Sequence, residues 1–196
     1  MTPRTPEQNE AIREQTRRQI KDAAFSLFAR HGFSNTSVSS IAGEAEISKG
    51  LIYHYFESKK EILKAIFDDL AALGDRAMDF PESLTPRECM ERMLEMLFGF
   101  IREEKETMRL LISLALQPDV MEEMRPSIEE YNARQLEALT HLLHDLGREQ
   151  PETEAFYLSA KLDGIALGYI TLDEDYPIEE IKQKLLHEYV SETETH

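Results

Sequence analysis

The sequence predicts an all-α protein of about nine helices in two parts, and three observations carry that prediction. Apolar residues recur at helical spacing along almost the whole chain, and runs alternating in the strand manner are absent. Hydroxyl residues stand where helix N-termini need caps, and Pro81 and Pro86 interrupt the periodicity. Charge is also unevenly divided. Residues 1–60 hold nine Lys/Arg against seven Asp/Glu, a net +2, whereas the remainder holds thirteen against thirty-one, a net −18.

Taken in order, residues 7–31 place Ile20, Ala23, Ala24, Leu27 and Phe28 on one helical face, with Gly32 as the stop. After a short turn, Ser37 caps a helix that buries Val38, Ile41, Ala42 and Ala45. Ser48 caps the next, whose inward residues are Ile52 and Phe56. A fourth helix begins after Ser58 and runs to about Met78 through Ile62, Ile66 and Leu70. Beyond the prolines, Met90, Leu94, Leu97 and Ile101 make an amphipathic helix. Met108, Leu111, Ile112 and Ala115 make another, stopped by Pro118. Pro126 is expected to open or kink a long helix ended by Gly147. An apolar helix over about 154–172 follows Pro151, and the last helix carries Ile178, Ile181, Leu185, Tyr189 and Val190.

Composition excludes several classes. No uninterrupted apolar run reaches the roughly 18 residues of a membrane span. The segment from Met1 to Glu14 lacks the apolar stretch of a secretory signal, so a cytoplasmic protein is expected. The single cysteine, Cys89, excludes an intrachain disulfide and paired-cysteine zinc sites. None of the six histidines follows a Glu at the spacing of a di-metal bundle, and His141, His144 and Asp145 read as a solvated helix face. Phosphate-cradling and dinucleotide glycine patterns are missing as well. The expectation is a non-enzyme without cofactor or metal.

The informative segment is 37–56, SVSSIAGEAEISKGLIYHYF. Two short capped helices meet at a turn near Glu46–Ile47, and the second offers Lys49, Gly50, Leu51, Tyr53, His54 and Tyr55 outward. A cation, phenols and an imidazole beside a glycine that admits close backbone approach are what a recognition helix needs in a DNA groove. Leu51 either touches a thymine methyl or packs inward, and Tyr55 is open to the same two readings. A helical adaptor without nucleic acid would leave this set unexplained. Lys59 and Lys60 open the fourth helix, whose free amides also favour phosphate.

The stretch from Ile20 to Leu63 carries Ala23–Ala24, Leu27–Phe28, Gly32–Phe33, Ile41–Ala42, SKGLIYHYF, Lys59 and Leu63. It resembles the tetracycline-repressor family of regulators. The resemblance implies a DNA-binding domain over 1–63, a linking helix over 58–78, and a ligand-binding and dimerising domain over 64–196. By position it makes Ser37 and Ser48 capping hydroxyls at the DNA surface, and Lys49, Gly50 and Leu51 base readers. Tyr53 and His54 become a pair gripping the backbone, and Lys59 a phosphate contact. Glu46 departs from the family's glycine and must take the turn conformation under strain. Ser39 replaces an arginine found in many members.

In the second part, Ala160, Gly164 and Gly168 recur every four residues, which suits close approach of another helix. With Ile181 and Leu185 on the last helix they resemble the family's dimer-forming pair, ordinary intrachain packing being the alternative. Phe67, Met93, Met96, Phe98, Met108, Tyr131 and Tyr169 either line a pocket for a small, largely apolar effector or fill the core. Gly74 is a flex point in the linking helix or an idle surface position. The expected partners are thus double-stranded operator DNA, a small-molecule effector and a second copy of the chain.

Overall fold

The computed structural model describes residues 5–191, so Arg4, counted among the N-terminal cations, lies outside the described residues. Nine α-helices and one 3₁₀ turn, Asp173–Asp175, account for the regular structure among the described residues, without a strand. They are α1 (Pro6–His31), α2 (Val38–Glu44), α3 (Lys49–Tyr55), α4 (Lys59–Ala77), α5 (Pro86–Glu103), α6 (Lys105–Ala115), α7 (Pro118–Asp145), α8 (Pro151–Leu172) and α9 (Ile178–Tyr189).

Pro118 and Pro151 act differently from the expectation, and Pro126 lies within the long helix and does not open it. Pro118 opens α7 instead of merely stopping the helix before it, because a first-turn residue needs no N–H. Pro126 therefore falls inside α7, where it withholds the hydrogen bond that the Glu122 carbonyl would accept. Pro151 is itself the first residue of α8. The helix ends follow local chemistry. Thr5 and Thr85 close capping boxes with Gln8 and Glu88, and Gly147 at φ +73° ends α7 as Arg148 N–H donates to the Leu143 carbonyl at 3.0 Å.

The chain forms two compact units. One comprises Met1–Leu70 with Leu110–Arg125, the other Ala71–Arg109 with the chain from Pro126 onward. In the first, α1–α4 bury Ile20, Phe28, Ile41, Ile52, Phe56 and Ile62, and Leu114, Val120 and Met124 of α6 and α7 join the buried set. In the second, α5, α7, α8 and α9 share one core that includes Met90, Leu94, Phe98, Leu143, Leu158 and Tyr189. The Tyr189 phenol donates to Glu154 Oε1 at 2.6 Å. Burial, then that carboxylate, pushes its ionisation well above the ordinary tyrosine range.

Two glycines make room for rings of their own unit. A Cβ on Gly168 would stand 2.5 Å from the Tyr176 ring, which also meets Tyr169 edge-on at 6.4 Å. The intrachain alternative therefore holds for Gly168. Gly74 is not an idle surface position, because the Tyr131 phenol occupies the space its Cβ would fill. Gly164, in contrast, faces open space. Gly168→Ala should accordingly destabilise the protein by about 1–3 kcal/mol through overpacking against Tyr176. Urea unfolding checks this, and an unchanged midpoint would show that the ring is not seated there.

Candidate nucleic-acid interface

The α2–α3 pair is built almost entirely from local bonds. Ser37 Oγ accepts from Ser40 N–H and Ser40 Oγ accepts from Ser37 N–H, both at 3.0 Å, which fixes the start of α2. At its end, Ile47 N–H donates to the Ala42 carbonyl at 3.0 Å and Glu46 N–H to the Gly43 carbonyl at 3.2 Å. That double closure requires a left-handed residue between them, and Glu46 supplies it at φ +51°. The strain expected at a non-glycine position is present, on the order of 1–2 kcal/mol. Gln19 of α1 steadies the turn by donating Nε2 to the Ala45 carbonyl at 2.7 Å. Ser48 Oγ then accepts from Leu51 N–H at 3.2 Å and starts α3.

Ile52 and Phe56 anchor α3 inward, leaving Lys49, Gly50, Leu51, Tyr53 and His54 exposed. Tyr53 is 50% exposed and the Lys49 ammonium lies 6.0 Å from its ring centroid. Leu51, at 37% exposure, faces outward, while Tyr55 is half-buried with its ring edge-on to His54 at 5.4 Å. A Cβ built at Gly50 would meet nothing within 4 Å, so its surface is open to a ligand. Ser37, Ser39 and Ser48 are exposed as well, Ser37 and Ser39 at the start of α2 and Ser48 at the start of α3.

Lys59 does something else. Its ammonium donates to the carbonyls of Phe33 (2.7 Å), Thr36 (3.0 Å) and Ser34 (3.1 Å) and lies 4.5 Å from the Phe33 ring centroid. An ammonium has three protons, and all three are spent on the α1–α2 turn. In this structure Lys59 is the tie between the start of α4 and that turn. Lys60 beside it pairs with Glu123 of α7.

The turn is held from a second side by residues the sequence did not single out. Gln117, between α6 and α7, accepts from Phe33 N–H at 2.9 Å and donates to the Phe28 carbonyl at 3.0 Å. Asp119 accepts from both the backbone N–H and the hydroxyl of Ser34, and the hydroxyl bond holds its carboxyl below the ordinary range. Thr36 Oγ1, buried, donates to the Gly32 carbonyl at 2.8 Å. Gln117 and Asp119 stand more than eighty residues from the turn in sequence, so spacing gave no signal.

The effector residues do not assemble as one pocket wall. Met93 and Phe98 are buried in the core of the second unit, and Met108 and Tyr169 pack half-buried against it. Tyr131 lies on Gly74, and Met96 is 42% exposed on the outer side of α5. Phe67 belongs to the first unit. The second unit instead holds a half-open cleft of about 240 Å³ lined by Met78, Phe80, Leu84, Cys89, Leu142 and Asp145 among others. The interface set also divides. Gly164 on α8 is exposed, with Ala160 one turn before it, alongside Phe156 (64% exposed) and Leu167 (49%), which the sequence did not single out. Leu185 is buried and Ile181 packs against the core of its own unit, so the outward apolar face belongs to α8.

Comparison with known proteins bears on both parts. Residues 20–66 match the bacterial regulatory proteins of the tetR family, and residues 84–192 match the tetracyclin repressor-like C-terminal domain. The HTH-type transcriptional regulator TtgR of Pseudomonas putida is 31% identical over 100 residues, which is 50% of this chain and 48% of that protein. The likeness thus spans about half of that relative's length. A TetR-like transcriptional regulator from Rhodococcus sp. RHA1 superposes with a TM-score of 0.70 at 28% identity, covering 95% of each chain. A transcriptional regulator from Saccharomonospora viridis, solved in complex with choline, shares the fold at a TM-score of 0.69 and 21% identity, over 92% of this chain and 97% of that one.

The Asp119 latch carries a pH signature. Its folded ionisation lies below the unfolded value, so its contribution is complete above the ordinary carboxylate pKa of about 3.9 and is lost as pH falls through the lowered value. Asp119→Ala should therefore unfold at lower temperature than the wild type at neutral pH, with the gap closing under strongly acid conditions. A gap independent of pH would show that the carboxylate charge plays no part in the latch.

Proposed function

The chain belongs to the tetracycline-repressor family of bacterial transcriptional regulators, and on that premise we propose that it is a repressor that grips a near-palindromic operator as a symmetric homodimer and is released by a small ligand. The observation that carries the reading is the outward face of α3. Lys49, Leu51, Tyr53 and His54 are exposed together on a helix whose start, end and preceding turn are all fixed by hydrogen bonds or burial. A reader must be rigid in its frame and unencumbered at its tips. In this reading Lys49, Gly50 and Leu51 meet base edges, and Ser37, Ser48, Tyr53 and His54 hold the backbone.

The dimer reading is supported by α8. Phe156, Ala160, Gly164 and Leu167 recur at helical spacing on its outer side, an apolar strip that one chain leaves wet. The effector reading rests on the cleft of about 240 Å³, whose lining side chains are apolar apart from Asp145, with backbone and carboxylate adding polar surface between them. A small, largely apolar molecule fits that lining; a cation with an apolar body is the second reading, because the Asp145 carboxylate stands among the same residues. Such a ligand releases DNA only by its preference for one of two states, typically about 1–3 kcal/mol. No described helix is long and apolar enough to cross a membrane, and the reading places the protein in the cytoplasm with its DNA.

Selecting bound fragments from the source organism's DNA tests the operator. The expected product is a sequence with two-fold symmetry whose half-sites lie about 34–36 Å apart or a multiple of that. Enrichment of asymmetric or random sequence would overturn the reading. Gly164→Leu tests the dimer separately. Open space around Gly164 lets one chain accept the side chain, so the variant should keep its helical circular dichroism and sediment as a monomer. A folded, dimeric variant would remove α8 from the interface.

A further inference from the structure

In the first unit most cations are already matched. Arg18 pairs with Asp22 at 3.8 Å, Arg30 with Glu44 at 2.9 Å, Lys64 with Asp68 at 2.9 Å, and Lys21 and Lys60 with Asp69 and Glu123. Lys59 is spent on three carbonyls. Besides Lys59, the cations without an acidic partner among the described residues of this unit are Arg13, Arg17, Lys49 and Arg125. Lys49 stands at the start of α3. Arg17 stands at its other end, its guanidinium 4.5 Å above the ring of Phe56, the residue that caps α3.

The placement follows from the α1 sequence. Leu27, Ala24 and Ile20 form the buried stripe of α1, and continuing that stripe toward the N-terminus gives Arg17 and then Arg13. The core ends at Ile20, so the same face changes from apolar to cationic where it passes α3. The Arg17 guanidinium lies over the Phe56 ring without spending its N–H donors there, which leaves them for an oxyanion. Glu10 and Glu14 precede the two arginines by three residues without closing an ion pair with them.

We infer that Arg17, with Arg13 one turn before it, is a phosphate-binding pair of the DNA surface. The inference rests on the DNA-binding reading above and adds to it a contact from α1. Phosphate contacts are blind to sequence, so a labelled mixed-sequence duplex is a sufficient probe. Its affinity is read by fluorescence anisotropy between about 50 and 200 mM salt. Arg13→Gln and Arg17→Gln should each weaken binding and make the salt slope shallower by about one unit. Arg17→Lys should restore the slope, which a purely packing role on Phe56 would not predict. Arg13 touches no such ring, so its variant reports binding even if Arg17→Gln disturbs the fold. Lys64→Gln, the same charge change at a cation paired with Asp68, should leave the slope as it is. A wild type that binds no duplex would sink the DNA-binding reading itself. A wild type that binds, with Arg13→Gln and Arg17→Gln retaining its slope, would overturn this inference alone.

Discussion

The structure of the reader depends on one ammonium group. The turn between α1 and α2 presents the carbonyls of Phe33, Ser34 and Thr36 to a common centre, the first of which also accepts from Thr36 N–H at 3.2 Å. Lys59 Nζ satisfies all three at 2.7–3.1 Å from the first turn of α4. Hydrogen bonds to a charged group are stronger than neutral ones, about 1.5–3 kcal/mol each. The tie fixes where α4 starts relative to α1, and α2 and α3 fill the space between them. Gln117 and Asp119 hold the same turn from the α6–α7 junction, through Phe33 and Ser34. The exposed face of α3 is thus positioned by groups that are themselves already engaged within the fold.

Much of this arrangement was legible because it is local. The Ser37 and Ser48 caps, the strained turn at Glu46 and the inward pair Ile52 and Phe56 all act within a few residues, where spacing and side-chain chemistry determine the outcome. Lys59 was legible as a cation at the start of α4, but its tie to the turn was not. Its partners are backbone carbonyls more than twenty residues away, and a carbonyl leaves no trace in a sequence. The segment Leu110–Arg125 could not be assigned to the first unit for a similar reason, since Gln117 and Asp119 look like ordinary polar residues between helices.

The second unit shows the opposite difficulty. Met93 and Phe98 are indistinguishable by spacing from pocket residues, yet they are consumed by the core, while the cleft is walled partly by Phe80 and Leu84 from the irregular chain between α4 and α5. The glycine strip of α8 was visible as a pattern but combined two causes. Gly164 lies on an exposed face, whereas Gly168 accommodates Tyr176 from the same chain. A four-residue repeat on a helix states that something comes close; only the fold says whether that is a neighbour within the chain.

The outward side chains of α3 have a further consequence. Lys49, Leu51, Tyr53 and His54 carry little of the intramolecular structure, while the bonds that hold the frame belong to Gln19, Ser37, Lys59, Gln117 and Asp119. Holding and reading are thus divided between separate residues. Exchanges at the tips of α3 cost little folding stability, since surface changes away from such features stay within about 0.5 kcal/mol. On the proposed reading of α3, a lineage can therefore drift from one operator to another, one tip at a time, without passing through an unfolded intermediate, whereas replacing Lys59 or Asp119 would be felt at every DNA sequence alike.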